Sequence, residues 1–142
     1  MRWFFVSVGI MAGVLANAQN KVVANITNIR SDNGVCRVCL FNSESSFSGE
    51  GGKPFECLTL TVKNKQAQGI FNNVPNGTYA LFVFHDKNNN NKMDKNFLGI
   101  PKEGYGASQN KLPFASAPNF NDNKFTIANN STVNIVIKMR NL

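Results

Sequence analysis

This sequence is short of the residues from which most catalytic and metal centres are built. It has one histidine, one tryptophan and three cysteines in 142 residues. A lone histidine argues against a zinc site, which usually takes three or four His, Cys or carboxylate ligands. No Gly-x-Ser-x-Gly, His-Glu-x-x-His or phosphate-binding glycine loop is present, so none of those motif-borne chemistries is signalled. Acidic residues are scarce, 8 against 15 Lys and Arg. The excess of basic residues is scattered, without a dense run or Arg-aromatic alternation, so nucleic acid is not an expected partner. After Leu15 no apolar stretch approaches the ~20 residues that span a bilayer, and no long segment carries a helical period.

What is present begins with an export pattern. Met1-Arg2 is followed by an apolar run from Trp3 to Leu15 and then Ala16-Asn17-Ala18. One positive charge, a short apolar core and small residues at −3 and −1 predict a signal peptide over residues 1–18, cleaved after Ala18. The run is too short for an anchor, and no cysteine at the cleavage point offers a lipid attachment. The expected product is residues 19–142, periplasmic or extracellular, with no membrane span. Loss of Arg2 leaves 14 basic and 8 acidic residues, a net charge of +6.

The mature chain reads as short alternating runs separated by turn residues. Lys21–Arg30 alternates around Val22, Ala24 and Ile26; Ser31-Asp32-Asn33-Gly34 is a turn signal, with Val35–Phe41 expected as the partner strand. Cys57–Val62 and the stretch through Ile70, Phe71 and Val74 continue the pattern. Pro75-Asn76-Gly77 turns into the most hydrophobic strand, Thr78–Phe84, and Lys124–Ala128 and Thr132–Met139 close the chain. About seven strands predict an all-β fold, a single immunoglobulin-like or transthyretin-like β-sandwich. Two stretches break the rhythm. Residues 43–53 read as a flexible loop from which Phe47 tucks back onto the core. Residues 86–122 read as a long insertion with little strand character, an ordered loop because it carries Phe97, Leu98, Tyr105, Phe114 and Phe120.

Cys36 and Cys39 form a Cys-x-x-Cys, but on a strand they point to opposite faces, whereas a reactive pair favours a helix N-terminus. Buried thiols, or one bridge from Cys57 to Cys36 or to Cys39, are the expected alternatives.

Val74-Pro75-Asn76-Gly77-Thr78-Tyr79-Ala80, His85-Asp86-Lys87-Asn88-Asn89-Asn90-Asn91-Lys92-Met93-Asp94, and Gly99-Ile100-Pro101-Lys102-Glu103-Gly104-Tyr105-Gly106 together resemble the DUF2141 family of exported bacterial proteins of unknown function. Ala117-Pro118-Asn119-Phe120 also fits the family's small-Pro-x-Phe element. The resemblance spans essentially the whole mature chain and departs at Asn91, where glycine is usual; asparagine is the next best residue for a left-handed turn. It implies export and a β-sandwich, and no reaction. The proline-glycine-tyrosine turn is also similar to repeats in transthyretin-like surface proteins, some of which carry calcium loops.

Asp86, Asn88, Asn90 and Asp94 place oxygen side chains at loop positions 1, 3, 5 and 9, with the Lys92 carbonyl at position 7, the spacing that suits a calcium ion. Calcium is therefore the expected cofactor. Phe97 stands where an EF-hand has glutamate, which excludes the helix–loop–helix version, and Glu103 is the residue that would return the missing carboxylate. The competing expectation is a turn in which the Asn and Asp side chains bond their own backbone. His85, Asp86 and Glu103 form the enzyme alternative, with His85 as general base. Lys102 and Tyr105 are candidate exposed contacts to a protein or glycan. The leading expectation is a non-enzymatic binding or structural module; a hydrolase and a carrier of small apolar ligands are the alternatives.

Overall fold

The computed structural model describes residues 20–95 and 101–142. The expected signal peptide and Phe97, Leu98, Gly99 and Ile100 lie outside the described residues.

Among the described residues, eight strands form two facing sheets. They are β1 (Asn20–Thr27), β2 (Val35–Phe41), β3 (Glu56–Thr61), β4 (Ala67–Val74), β5 (Gly77–Asp86), β6 (Tyr105–Ala107), β7 (Phe125–Ile127) and β8 (Thr132–Lys138). One sheet has the order β4-β1-β8, with β1 and β8 parallel. The other has the order β3-β2-β5-β6, and β7 also pairs with β5. The two short strands lie end to end along one edge of β5, β7 beside Gly77–Tyr79 and β6 beside Phe82–Phe84. The β-sandwich expected from the alternating runs is present.

Alternation explains the layers. Val22, Ala24 and Ile26 from β1, Phe71 from β4, and Ile135 and Ile137 from β8 meet Cys36, Val38 and Leu40 from β2 and Leu81 and Val83 from β5. Each large apolar side chain so buried contributes about 1.5–3 kcal/mol. The outer face of the five-stranded sheet has a second apolar layer. There Phe47 packs edge-on against Phe41, Phe82 and Phe120, with ring centroids 5.3, 6.3 and 6.1 Å apart.

Three sequence expectations are corrected. First, β1 and β2 are not partners: β1 sits between β4 and β8, and the chain crosses to the other sheet before β2 begins. The reason lies in residues 28–34. Asn28 takes a left-handed φ of 61°, and Ile29 is buried at the seam, its N–H bonded to the Lys65 carbonyl at 3.1 Å. That is an inter-sheet corner, not a hairpin turn. Second, residues 43–53 are not a loop throughout, because a short helix, α1 (Glu44–Ser48), occupies the first half of the stretch. Ser43 caps its N-terminus by accepting the Ser46 N–H, and Gly49 ends it in the left-handed conformation. This helix is what carries Phe47 inward. Third, the 86–122 insertion contains β6 and a second short helix, α2 (Phe120–Asn123).

The cysteine alternatives resolve to Cys39–Cys57, which stand directly opposite each other on β2 and β3 with Cα atoms 4.1 Å apart. Cys36 faces the core, where burial pushes its thiol up to about 12. A thiol reagent should therefore label no cysteine in the native protein and one per chain after unfolding without reductant. Opening the bridge by Cys39→Ser should cost about 3 kcal/mol in a denaturant melt, from the chain entropy of a loop of this length. Rapid native labelling of Cys36 would contradict this packing.

Candidate functional site

The residues singled out in the sequence gather where β5 ends and the 86–94 loop begins. β5 alternates, so His85 turns into the core and Asp86 to the outer face. Both are fully buried. His85 Nε2 donates to the Asn33 carbonyl at 2.6 Å, and its backbone N–H donates to the Gly104 carbonyl. Its Nδ1 is buried with no hydrogen-bond partner. The Asn33 carbonyl is within reach because Gly34 brings the preceding corner hard against β5. A Cβ at Gly34, whose φ is 71°, would sit 2.1 Å from the Asp86 carbonyl oxygen, so only glycine fits there.

The Asp86 carboxylate accepts three hydrogen bonds. Its Oδ2 accepts from Arg37 Nε at 2.7 Å and from the Asn91 N–H at 2.8 Å, and its Oδ1 accepts from the Asn90 N–H at 3.1 Å. Burial pushes this carboxyl up, but the hydrogen bond from Arg37, the two backbone N–H groups and the Arg37 charge outweigh it and hold the group below its ordinary value. The remaining donors of Arg37 reach Thr59 Oγ1 and Asn89 Oδ1. This guanidinium therefore ties β2, β3, β5 and the loop together.

Glu103 closes the other side. It is buried, its Oε2 accepts the Lys87 N–H at 2.7 Å, and its Oε1 accepts the Asp94 N–H at 2.8 Å. One carboxylate thus holds both ends of the loop. Within it, Asn89 and Asn91 take left-handed φ values of 53° and 63°, so the asparagine that departs from the family's glycine still makes the turn. Asn90 Oδ1 accepts the Lys92 N–H. Asp94 is reached by two side-chain amides, from Asn88 at 2.6 Å and from Asn90 at 2.7 Å.

Several site expectations are thereby revised. Tyr105 is not an exposed contact. It is buried on β6 beside Phe84, its ring 6.3 Å from that of Phe82, and its backbone bonds to Arg140 in both directions. Lys102 does reach solvent. Gly104 and Gly106 serve close approach: a Cβ on either would come within 2.5 Å of Asn141 Oδ1 or Ile137 Cγ2. His85, Asp86 and Glu103 are near one another in the fold, yet no described hydrogen bond joins any two of them. Among the described residues, no three His, Cys, Asp or Glu side chains assemble around a metal-sized space. Two open depressions mark the described surface, one including Asn25, Thr61 and Gln68, the other Asn28, Asn110 and Arg140; neither is lined by His85. Arg37 is the site residue that sequence reading missed. Its signal was faint: an arginine on the outward face of an otherwise apolar strand.

A family model, DUF2141, described as an uncharacterized protein conserved in bacteria, matches residues 24–135. No curated protein and no solved structure matches the chain.

Asp86→Asn should destabilise the fold by about 3 kcal/mol at neutral pH, because it leaves the Arg37 charge in a partly buried site without its counter-ion. A carboxyl held below its ordinary value stabilises the fold fully above the unfolded aspartate pKa of ~3.9, and the stabilisation is lost as pH falls through the lower folded value. Denaturant midpoints should thus converge for the two proteins as pH drops below about 4. A gap that stays constant down to about pH 2 would contradict the ion pair.

Proposed function

The chain belongs to the DUF2141 family, a membership that assigns no reaction, and from its own residues we propose that it is an exported, non-enzymatic β-sandwich module that binds through the face built by residues 86–120. One observation carries this reading. The three groups an enzyme would use, His85, Asp86 and Glu103, are buried, and each is held by structural bonds separate from the others. A general base must reach its substrate's proton directly or through one water, and His85 has no exposed atom to do so. A carrier of apolar ligands would need an enclosed chamber, and the inter-sheet space is filled by Val22, Phe71, Leu81, Val83 and Ile137. Export follows from the leader pattern of residues 1–18.

Calcium is a second reading, favoured by the convergence of Asn88 and Asn90 on Asp94. Side-chain amides present oxygen after a half-turn. Asn88, Asn90, Asp94 and the Lys92 carbonyl then form an all-oxygen donor set suited to a hard cation. Asp86 would be the weakest member, because Arg37 and two N–H groups already occupy it. Calcium would supply charge that ties the loop closed, with no part in a reaction.

Two measurements test these readings. His85→Gln should lower stability by about 1–3 kcal/mol and leave capture of envelope partners at the wild-type level wherever the variant is folded. Turnover of any substrate that vanishes with His85 in a folded variant would overturn the non-enzymatic reading. For calcium, a free concentration ten times the dissociation constant adds about 1.4 kcal/mol, a rise in melting temperature of roughly 3–5 °C for a domain this size. Asp94→Ala should abolish the rise, and magnesium should give much less. Identical melting curves in chelator and ~10 mM calcium would eliminate the ion.

A further inference from the structure

We propose that the Leu112–Pro118 loop is a membrane-surface anchor that inserts Phe114 into the headgroup boundary of an anionic bilayer. The inference rests on the reading of the chain as an exported binding module and names the partner of one part of its surface.

Phe114 is fully exposed, at 102 %, while among the described residues the next most exposed large apolar side chain, Val136, reaches 57 %. A single exposed apolar residue is ordinary, so the case depends on its setting. The tip reads Leu112-Pro113-Phe114-Ala115-Ser116-Ala117-Pro118, without a charge.

Its base is clamped. The side chain of Asn123, fully buried, accepts the Gln109 and Lys111 N–H groups on Oδ1 and donates to the Lys111 and Asn119 carbonyls through Nδ2. One amide thereby closes both ends of the loop. Arg140 adds two bonds from below, to the Leu112 carbonyl at 2.7 Å and the Pro113 carbonyl at 3.0 Å. Phe114 is thus presented outward on a fixed base instead of joining the cluster of Phe47 and Phe120, and little conformational entropy is lost when it binds.

The charge around the base fits an anionic surface. From Gly104 to Leu142 the chain has four basic residues, Lys111, Lys124, Lys138 and Arg140, and one acidic residue, Asp122. Three of these basic residues adjoin the loop or its stem, Arg140 through its guanidinium at the 112 and 113 carbonyls, and Lys138 and Lys124 through their main chain, at Asn110 Oδ1 and Gln109 Nε2. Lys111 is in the stem itself. Surface binding to a bilayer scales with buried apolar area plus attraction to anionic lipid, and each basic residue near the surface adds to it. A protein pocket would accept Phe114 as readily but has no need of the basic rim.

The test uses the secreted product whose intact mass begins at Gln19. It lacks the chain's one tryptophan, Trp3, so Phe114→Trp supplies a lone reporter. Its emission should shift to the blue with vesicles containing about 30 % phosphatidylglycerol and stay unchanged with phosphatidylcholine alone. In co-sedimentation, Phe114→Ala should reduce partitioning to anionic vesicles about tenfold. Lys111→Glu should reduce it several-fold, as should salt raised to about 0.5 M. Wild-type protein that ignores anionic vesicles, or Phe114→Ala that binds them equally well, would overturn the inference. Phe114-dependent capture of a protein with no vesicle binding would overturn it in favour of a protein pocket. Both substituted residues lie outside the 86–94 loop, so failure here leaves the loop's melting behaviour, and the module reading, where they were.

Discussion

The end of the molecule that holds the candidate site depends on one buried carboxylate. Asp86 has no exposed surface, and taking such a charge out of water costs several kcal/mol unless it is paired and fully hydrogen-bonded. Arg37 supplies the opposite charge, and Asn90 and Asn91 supply backbone donors. The loop must curl over the strand end for those two N–H groups to arrive, and its left-handed asparagines make that curl possible. Glu103 then fixes the chain that returns from the insertion by binding the N–H groups of Lys87 and Asp94. The result is a crossing point of β2, β5, the loop and the segment leading into β6.

This constraint bears on two readings that the sequence left side by side. A histidine followed by an aspartate, with a glutamate downstream, has the composition of an acid–base centre. In the fold each group meets a different demand: His85 closes a corner through Asn33, Asp86 neutralises Arg37, and Glu103 holds both ends of a loop. Their burial serves rigidity. On the proposed reading, the hydrogen-bonded loop and the clamped Phe114 tip, which sit on the same long insertion, are what the module would present to a partner.

Much of this was legible in the residues. Alternation in β1, β3 and β8 and the apolar run of β5 were enough for the sandwich, and the Asp/Asn spacing located the loop. The β1–β2 connection was misread because Ser31-Asp32-Asn33-Gly34 has hairpin chemistry, while the deciding residue, Ile29, reveals itself as a seam residue only once both sheets exist. The helix carrying Phe47 had a serine cap and a terminal glycine, but five residues are too few for a hydrophobic period to register. Tyr105 looked like an exposed aromatic among glycines. Those glycines in fact mark where β6 approaches Ile137 and Asn141 closely, and a close approach of that kind is a tertiary fact. Arg37 was invisible for the same reason: nothing local connects it to a carboxylate on another strand.

The central claim is that Asp86 and Glu103 hold the loop as fixed structure with the chain's own N–H groups. Amide hydrogen exchange reads those groups directly. In calcium-free buffer the N–H groups of Lys87, Asn90, Asn91 and Asp94 should be protected to a degree approaching that of the core strands, while the N–H of their exposed neighbour Asn88 exchanges faster. Exchange at all four at the rate of an unstructured peptide, with β5 and β2 still protected, would contradict the account.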